Sequence, residues 1–325
     1  MNAPRSAVVV NPSKLDDTDR MRRTLTRALA RAGWPEPRWY ETTVDDPGAG
    51  QTQAAVDAGA EVVFACGGDG TVMACAGALV GTEAAMAVLP AGTGNLLASN
   101  LGLSTDLAAG IEVAVEGGRR RLDLGSIPGR DGDPRYFTVM AGMGFDAQML
   151  AATSETTKSW LGWPAYLMGG LRHLRDRPMR VSVRIDGGAP LRRRARSVLV
   201  ANVGRLQGGM RLIADAEPDD GWLDVAILTP RTVGHWAALG WAVVRRRRRV
   251  PGMETFRGHH VVVASNRPQP RQLDGDVIEP GRALDVRVEP RAIWLCVPRP
   301  AGDPDLAHDA EAAAERGQRL VESTE

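Results

Sequence analysis

The chain opens on a short apolar run, Ser6 to Val10, that stops at Asn11-Pro12-Ser13. Its length and the turn formers after it predict a buried strand. From Asp19 to Ala32 the pattern becomes helical. Met21, Leu25, Ala28 and Leu29 fall on one face, and Gly33 marks the stop. Arg38 to Glu41 reads as a second strand and Gln51 to Ala58 as a second helix. Glu61 to Cys66 is again a buried strand, followed at once by Gly67-Gly68-Asp69-Gly70-Thr71. A helix over Val72 to Leu79 and a strand over Ala85 to Leu89 come next. Then follow the turn Pro90-Ala91-Gly92-Thr93-Gly94-Asn95 and a helix over Leu107 to Glu116. Strands alternating with helices predict an α/β domain with an open, mostly parallel sheet. Ligands of such sheets bind beyond the carboxyl ends of the strands, where both glycine-rich turns lie.

The pattern changes after about residue 120. Arg121 to Ile127, Arg135 to Met140, Met179 to Ile185, Ala195 to Val203, Leu223 to Leu228, His260 to Ala264 and Leu284 to Val288 read as strands between Gly, Pro and Asp turns. They predict a mostly antiparallel β-sandwich. Two helical insertions interrupt it, Ser159 to Arg175 and Thr232 to Arg249, the second ending in five arginines. The expected division is 1–128 for the α/β domain and 129–291 for the sandwich, with a last strand over 292–298 returning to the first domain. A tail is expected at 299–325; from Ala301 to Glu325 it sets seven acids against Arg316 and Arg319, a net of −5 (2 − 7).

Composition narrows the function. Forty basic residues against 39 acidic give a net charge of +1, which argues against a nucleic-acid binder. Cys66, Cys75 and Cys296 are odd in number and form no CxxC pair, so no disulfide framework or zinc site is expected. All three sit in apolar stretches and read as buried core residues. The start of the chain lacks a signal-peptide pattern, and no apolar run approaches the ~18 residues of a membrane span. A cytoplasmic protein with peripheral membrane contact is expected.

The turn from Gly67 to Thr71 sits between a buried strand and a helix. Glycines there let a backbone approach an anion, and the N–H groups of a helix start favour phosphate. Asp69 adds negative charge, which suits orienting a metal or a hydroxyl; it also suits a plain helix cap. The second turn, Gly92-Thr93-Gly94-Asn95, repeats the logic on the next strand, so a shared phosphate cleft is expected. No GxxxxGK[ST] P-loop and no protein-kinase signature set occur.

Asn11-Pro12, Gly67-Gly68-Asp69-Gly70-Thr71, Gly92-Thr93-Gly94-Asn95, Gly144-Phe145-Asp146, Asp220-Gly221 and Asp274-Gly275-Asp276 occur in that order. Together they resemble the diacylglycerol kinase catalytic-domain family over roughly residues 6 to 298. That family includes bacterial soluble lipid kinases, sphingosine kinases and ceramide kinases. The first turn is shared with NAD kinases and phosphofructokinases; the later motifs favour the lipid-kinase branch. The resemblance implies an NAD kinase-like α/β domain, a β-sandwich lipid domain and an ATP site between them. By position it assigns the nucleotide to Asn11, Thr42, the Gly67 to Thr71 turn including Gly68 and Gly70, and Gly92, Thr93, Gly94 and Asn95. Thr43 is a rival for Thr42. It also implies a structural Mg2+ at Asp220-Gly221, with carbonyls from Glu217 and Trp222.

The family's Asp-Gly-Glu motif supplies a proposed general base. Here it reads Asp274-Gly275-Asp276, one methylene shorter, so the resemblance puts Asp276 first and Asp69 second. Asp274-Gly275 is also a strong hairpin-turn signal in its own right. Ala74 and Leu96 stand where many members carry acids, while Asp123 matches a common one. The expected activity is transfer of the γ-phosphate of Mg-ATP to a hydroxyl of diacylglycerol or a related lipid. The alternatives are an NAD kinase-like enzyme and a non-catalytic lipid or nucleotide binder. The expected partners are ATP and a lipid at a membrane surface, with no nucleic acid and with room for a homodimer. Membrane contact is expected at Thr232 to Arg249, through Trp236, Leu239, Trp241, Val243 and Val244 before the five arginines, with Arg192 to Arg196 and Arg119 to Arg121 adding charge. The Trp- and Met-containing 159–175 segment suits an acyl-chain opening.

Overall fold

The computed structural model describes residues 3–91, 95–101, 103, 106–129, 132–144, 178–204, 216–230, 235, 245, 250 and 252–298. The expected tail, the 159–175 segment and all of 232–249 except His235 and Arg245 lie outside the described residues. The described chain forms two units, Met1–Leu122 with Arg291–Glu325, and Asp123–Pro290. The first boundary falls six residues before the expected one, inside a strand.

The first unit runs β1 (Ser6–Val10), α1 (Thr18–Arg31), β2 (Arg38–Glu41), α2 (Ala49–Asp57), β3 (Val62–Gly67), α3 (Asp69–Ala78), β4 (Ala85–Pro90), α4 (Leu96–Asn100) and α5 (Leu107–Glu116). Its strands lie in the order β2-β1-β3-β4, all parallel. Asp17 caps α1 by accepting the Arg20 N–H at 2.7 Å. Met21, Leu25 and Leu29 then stack at every fourth position against Val8, Val10 and Phe64. The stretch from Arg291 also lies in this unit. Trp294 and Leu295 pair parallel with Ala85 and Met86 on β4. Trp294 Nε1 donates to Glu83 Oε2 at 3.0 Å, and Arg121 stacks 4.4 Å from the Trp294 ring.

The strand β5 (Gly118–Pro128) carries the chain into the second unit. There follow β6 (Pro134–Phe137), β7 (Met140–Gly144), β8 (Met179–Ile185), β9 (Leu191–Ala195), β10 (Ser197–Ala201), β11 (Leu223–Leu228), β12 (Met253–Gly258), β13 (His260–Leu273) and β14 (Asp276–Val297). Among the described residues the strand pairings within this unit are antiparallel. One end of β13 pairs with β8 and the other with β7. Its register shifts between Ala264 and Arg271, around Pro268 and Pro270. Such irregularity lets one strand serve both layers of a sandwich. The core between the layers holds Phe137, Met143, Val181, Val183, Val200, Val225 and Val263. Phe137 sits directly over Gly125, where a Cβ would fall 1.9 Å from its ring.

Candidate active site

In the first unit, the glycine turn opens where β3 ends. A Cβ on Gly67 would lie 2.7 Å from the Thr71 side chain, so glycine alone permits the turn to fold this tightly. Gly68 caps α3 without any side-chain hydrogen bond. The first N–H groups of α3 thus sit beside the carboxyl end of the sheet, the polarity that attracts phosphate.

Asp69 is not a cap. Its carboxylate accepts the backbone N–H of Leu96, the first residue of α4. This ties the first glycine turn to the second. Gly67 also pairs with Pro90, and the Ala91 N–H donates to the Gly67 carbonyl at 3.0 Å. Because Leu96 contributes its backbone here, this contact does not need an acidic side chain at that position. Gly92, Thr93 and Gly94 lie outside the described residues, as do Phe145 and Asp146.

Asn95 follows at φ 34°, a left-handed conformation that asparagine tolerates. It is 3% exposed, and among the described residues neither its Oδ1 nor its Nδ2 has a hydrogen-bond partner. An unsatisfied buried amide costs about 1–3 kcal/mol per group. A polar ligand entering the turn would supply the missing partners.

At the neighbouring strand end, the Asn11 N–H donates to the Cys66 carbonyl at 2.9 Å. The Asn11 side chain accepts from Ser13 N and Oγ at 3.1 and 2.7 Å, so it also shapes its own turn. Thr42 is buried, and its N–H donates to the Val10 carbonyl at 2.9 Å. Thr43 is exposed, with its hydroxyl accepting the Asp46 N–H at 3.0 Å. Thr42 is therefore the threonine beside the end of β1.

In the second unit, Asp274 and Gly275 form the two-residue loop of the β13–β14 hairpin, with φ of 48° and 96°. Both signs match a type I′ turn. Asp274 is also a buried anchor that the sequence reading missed. Its two oxygens accept Thr138 N and Oγ1 at 2.7 Å each, and Val139 N and Met140 N at 2.8 Å each. Burial pushes this carboxyl up, and those four donors pull against the shift. Asp276 begins β14 and is exposed. The hairpin thus fixes Asp274 as a structural tether and presents Asp276 outward.

The Asp220-Gly221 turn is held by Asp123, which is 1% exposed. Asp123 Oδ2 accepts the Gly221 N–H at 2.6 Å, and its own N–H donates to the Pro218 carbonyl at 2.8 Å. Asn202 Nδ2 donates to the Asp123 carbonyl at 2.8 Å and to the Thr138 carbonyl at 3.1 Å. Asp220 Oδ1 accepts the Trp222 N–H at 3.0 Å, and its other oxygen pairs with Arg257. Arg257 Nε lies 3.3 Å from Asp224 Oδ1. Burial works against the Arg257 charge, but the Asp224, Asp220 and Glu217 carboxylates hold its pKa above the usual value.

Magnesium takes oxygen ligands, from carboxylates, carbonyls and retained waters alike. Here the guanidinium of Arg257 already balances Asp220. Among the described residues no group of three His, Cys, Asp or Glu side chains is placed to hold a metal. A magnesium held by Asp220 and the Glu217 and Trp222 carbonyls would have to share or displace the Arg257 guanidinium, which pairs with Asp220 and also faces Asp224. Arg257 gave no signal in the sequence, because its partners lie on another strand.

Comparison with known proteins settles the family. The diacylglycerol kinase catalytic domain matches residues 5–127, and the YegS C-terminal NAD kinase beta sandwich-like domain matches residues 138–297. The chain belongs to the diacylglycerol kinase catalytic-domain family. A probable lipid kinase YegS-like protein of Pseudomonas putida is 33% identical over 260 residues, spanning 78% of this chain and 82% of that one. A diacylglycerol kinase of Mycobacterium tuberculosis is 30% identical over 183 residues, spanning 54% of this chain and 57% of that one. The crystal structure of a diacylglycerol kinase from Bacillus anthracis aligns with a TM-score of 0.67 at 16% identity. It covers 91% of this chain and 97% of that one, a likeness of fold. Within this lipid-kinase family both domain expectations hold, the α/β nucleotide domain first and the β-sandwich second.

Proposed function

We propose that this kinase transfers the γ-phosphate of Mg-ATP to a hydroxyl of diacylglycerol or a chemically related lipid. The buried, unpartnered Asn95 amide in a turn tied to α3 by Asp69 carries the nucleotide half of the reading. The polyphosphate would lie against Gly67, Gly68, Gly70 and Thr71, with Asn11, Thr42 and the Gly92-Thr93-Gly94 segment completing the site. Phosphoryl transfer depends chiefly on positioning and charge stabilisation, which a preformed turn supplies.

Asp276 would act as general base. It takes the lipid hydroxyl proton as that oxygen bonds to the γ-phosphorus. The bond from phosphorus to the bridging oxygen breaks, and ADP leaves. Asp276 suits the role because it is exposed and begins its strand beside the rigid Asp274-Gly275 turn. Asp69 is the weaker candidate, since its carboxylate is engaged by Leu96.

The test is transfer of labelled γ-phosphate to a panel of lipids in mixed micelles, with NAD as a further acceptor. Label on a lipid, lost in Asp276→Asn, supports the reading. Label on NAD alone replaces it with a nucleotide kinase. ATP binding without any transfer replaces it with a binding role.

A further inference from the structure

The arginines of the 192–196 run do not form one patch. Strand pairing sorts them by face. β9 runs antiparallel to β8, with Arg194 opposite Arg180 and Arg192 opposite Ser182. Arg193 points to the inner side and grips Glu254 at 2.8–3.1 Å. Arg192 and Arg194 point outward with Arg180 and Arg184, and all four are exposed. Their inward neighbours Met179, Val181, Val183 and Ala195 lie in the core, which fixes the outer face.

Among the described residues, none of these four arginines pairs with an acid. The acids on the adjoining strand and turn are committed elsewhere. Asp285 pairs with His260 at 2.8 Å, and Asp186 accepts the His259 and His260 N–H groups at 2.9 and 2.8 Å. Like charges placed opposite each other on a sheet destabilise it. Arg180 and Arg194 stand directly opposite and carry that cost, which a dense layer of negative charge would relieve.

The surface is a sheet face, and no aromatic residue interleaves the arginines. The other outward positions nearby are Ser182, Val262 and Ala264. Single-stranded nucleic acid is held by aromatic stacking platforms, which this face lacks. A layer of anionic headgroups needs charge alone, and guanidinium groups match phosphate geometry. We propose that Arg180, Arg184, Arg192 and Arg194 form a docking face for an anionic bilayer surface. Resting on the lipid-kinase reading, this face would bring the enzyme to the layer that holds its acceptor.

The full chain would be sedimented with phosphatidylcholine vesicles with and without phosphatidylglycerol. Two variants test the face from separate strands, Arg192→Gln with Arg194→Gln and Arg180→Gln with Arg184→Gln. Thermal unfolding shows that each remains folded. An arginine near an anionic leaflet contributes about fivefold in partitioning, so each double variant should bind phosphatidylglycerol vesicles about 25-fold more weakly. Binding should also fall steeply with added salt. Phosphate transfer in neutral detergent micelles should not change. Vesicle binding equal to wild type in both folded variants overturns the proposal. Tighter binding to a DNA oligonucleotide than to the vesicles at equal ionic strength also overturns it, in favour of a nucleic-acid partner. Vesicle binding lost in the variants, with no lipid phosphorylated by the wild type, keeps the docking face and removes the kinase reading.

Discussion

At the scale of single residues, the Asp274-Gly275-Asp276 motif divides its labour. Asp274 is buried beneath four donors, while Asp276 is exposed one turn residue later. Asp276→Asn is expected to lower kcat on the preferred lipid by about 100-fold or more, the usual scale for a general base. Its melting temperature should match wild type. Asp274→Ala should do the opposite to stability, lowering it by about 3 kcal/mol or more in urea unfolding, because three backbone N–H groups lose their acceptor. Asp276, the proposed base, entered as part of a motif. The tether was not legible, since its donors lie more than 130 residues earlier in the chain. Sequence alone could see the turn chemistry of Asp-Gly and nothing of what the carboxylate held. The cysteines were legible, because apolar flanks report burial directly. Burial pushes the Cys66 and Cys75 thiols up to about 12 and the Cys296 thiol to about 11. A thiol-specific reagent at pH 8 should therefore leave all three unmodified in the native protein and label them in denaturant.

At the scale of elements, periodicity located β1, β2, β8, β11 and α5 with the same ends as the structure. These segments are apolar or cleanly periodic. It missed β9 and β12, whose sequences are LRRRA and METFRG. Both read as polar because half their positions face solvent, and Arg193 and Glu254 satisfy each other between them. That pairing holds the Glu254 carboxyl below its ordinary value of 4.5 through the hydrogen bonds from Arg193. A carboxylate with a lowered folded pKa stabilises above its unfolded value, and loses that contribution as acid protonates it. The stability gap between wild type and Glu254→Gln should be constant above about pH 5.5 and close as pH falls below 4.5. With both side chains partly exposed, the gap should not exceed about 1 kcal/mol. The Asp220 turn gives a further element-scale expectation. With Arg257 in place, Mg2+ added without nucleotide should leave the melting temperature unchanged. Arg257→Gln, which removes the guanidinium beside Asp220 and Asp224, should lower it and make it rise with Mg2+.

At the scale of the whole molecule, the first unit is built from two distant stretches of chain, up to Leu122 and from Arg291. The alternation of strands and helices marks the first stretch in the sequence, and the apolar run at 292–297 marks the second. The exact crossing points were not legible, because β5 and β14 run on without a break in pattern. A chain ended at Pro290 would lose the burial of Ile293, Leu295 and Val297, each 0% exposed, and leave β4 with an open edge. At about 1.5–3 kcal/mol for each such side chain, the first unit should lose most of its stability and aggregate on expression. The same discontinuity bears on synthesis. Between Leu122 and Arg291 the ribosome adds 168 residues (290 − 122). At ~5–20 residues per second, the nascent nucleotide half waits roughly ten to thirty seconds for its last strand. Throughout that interval the edge of β4 would stand open to other strands, so shielding of that edge would matter most before the last strand is made.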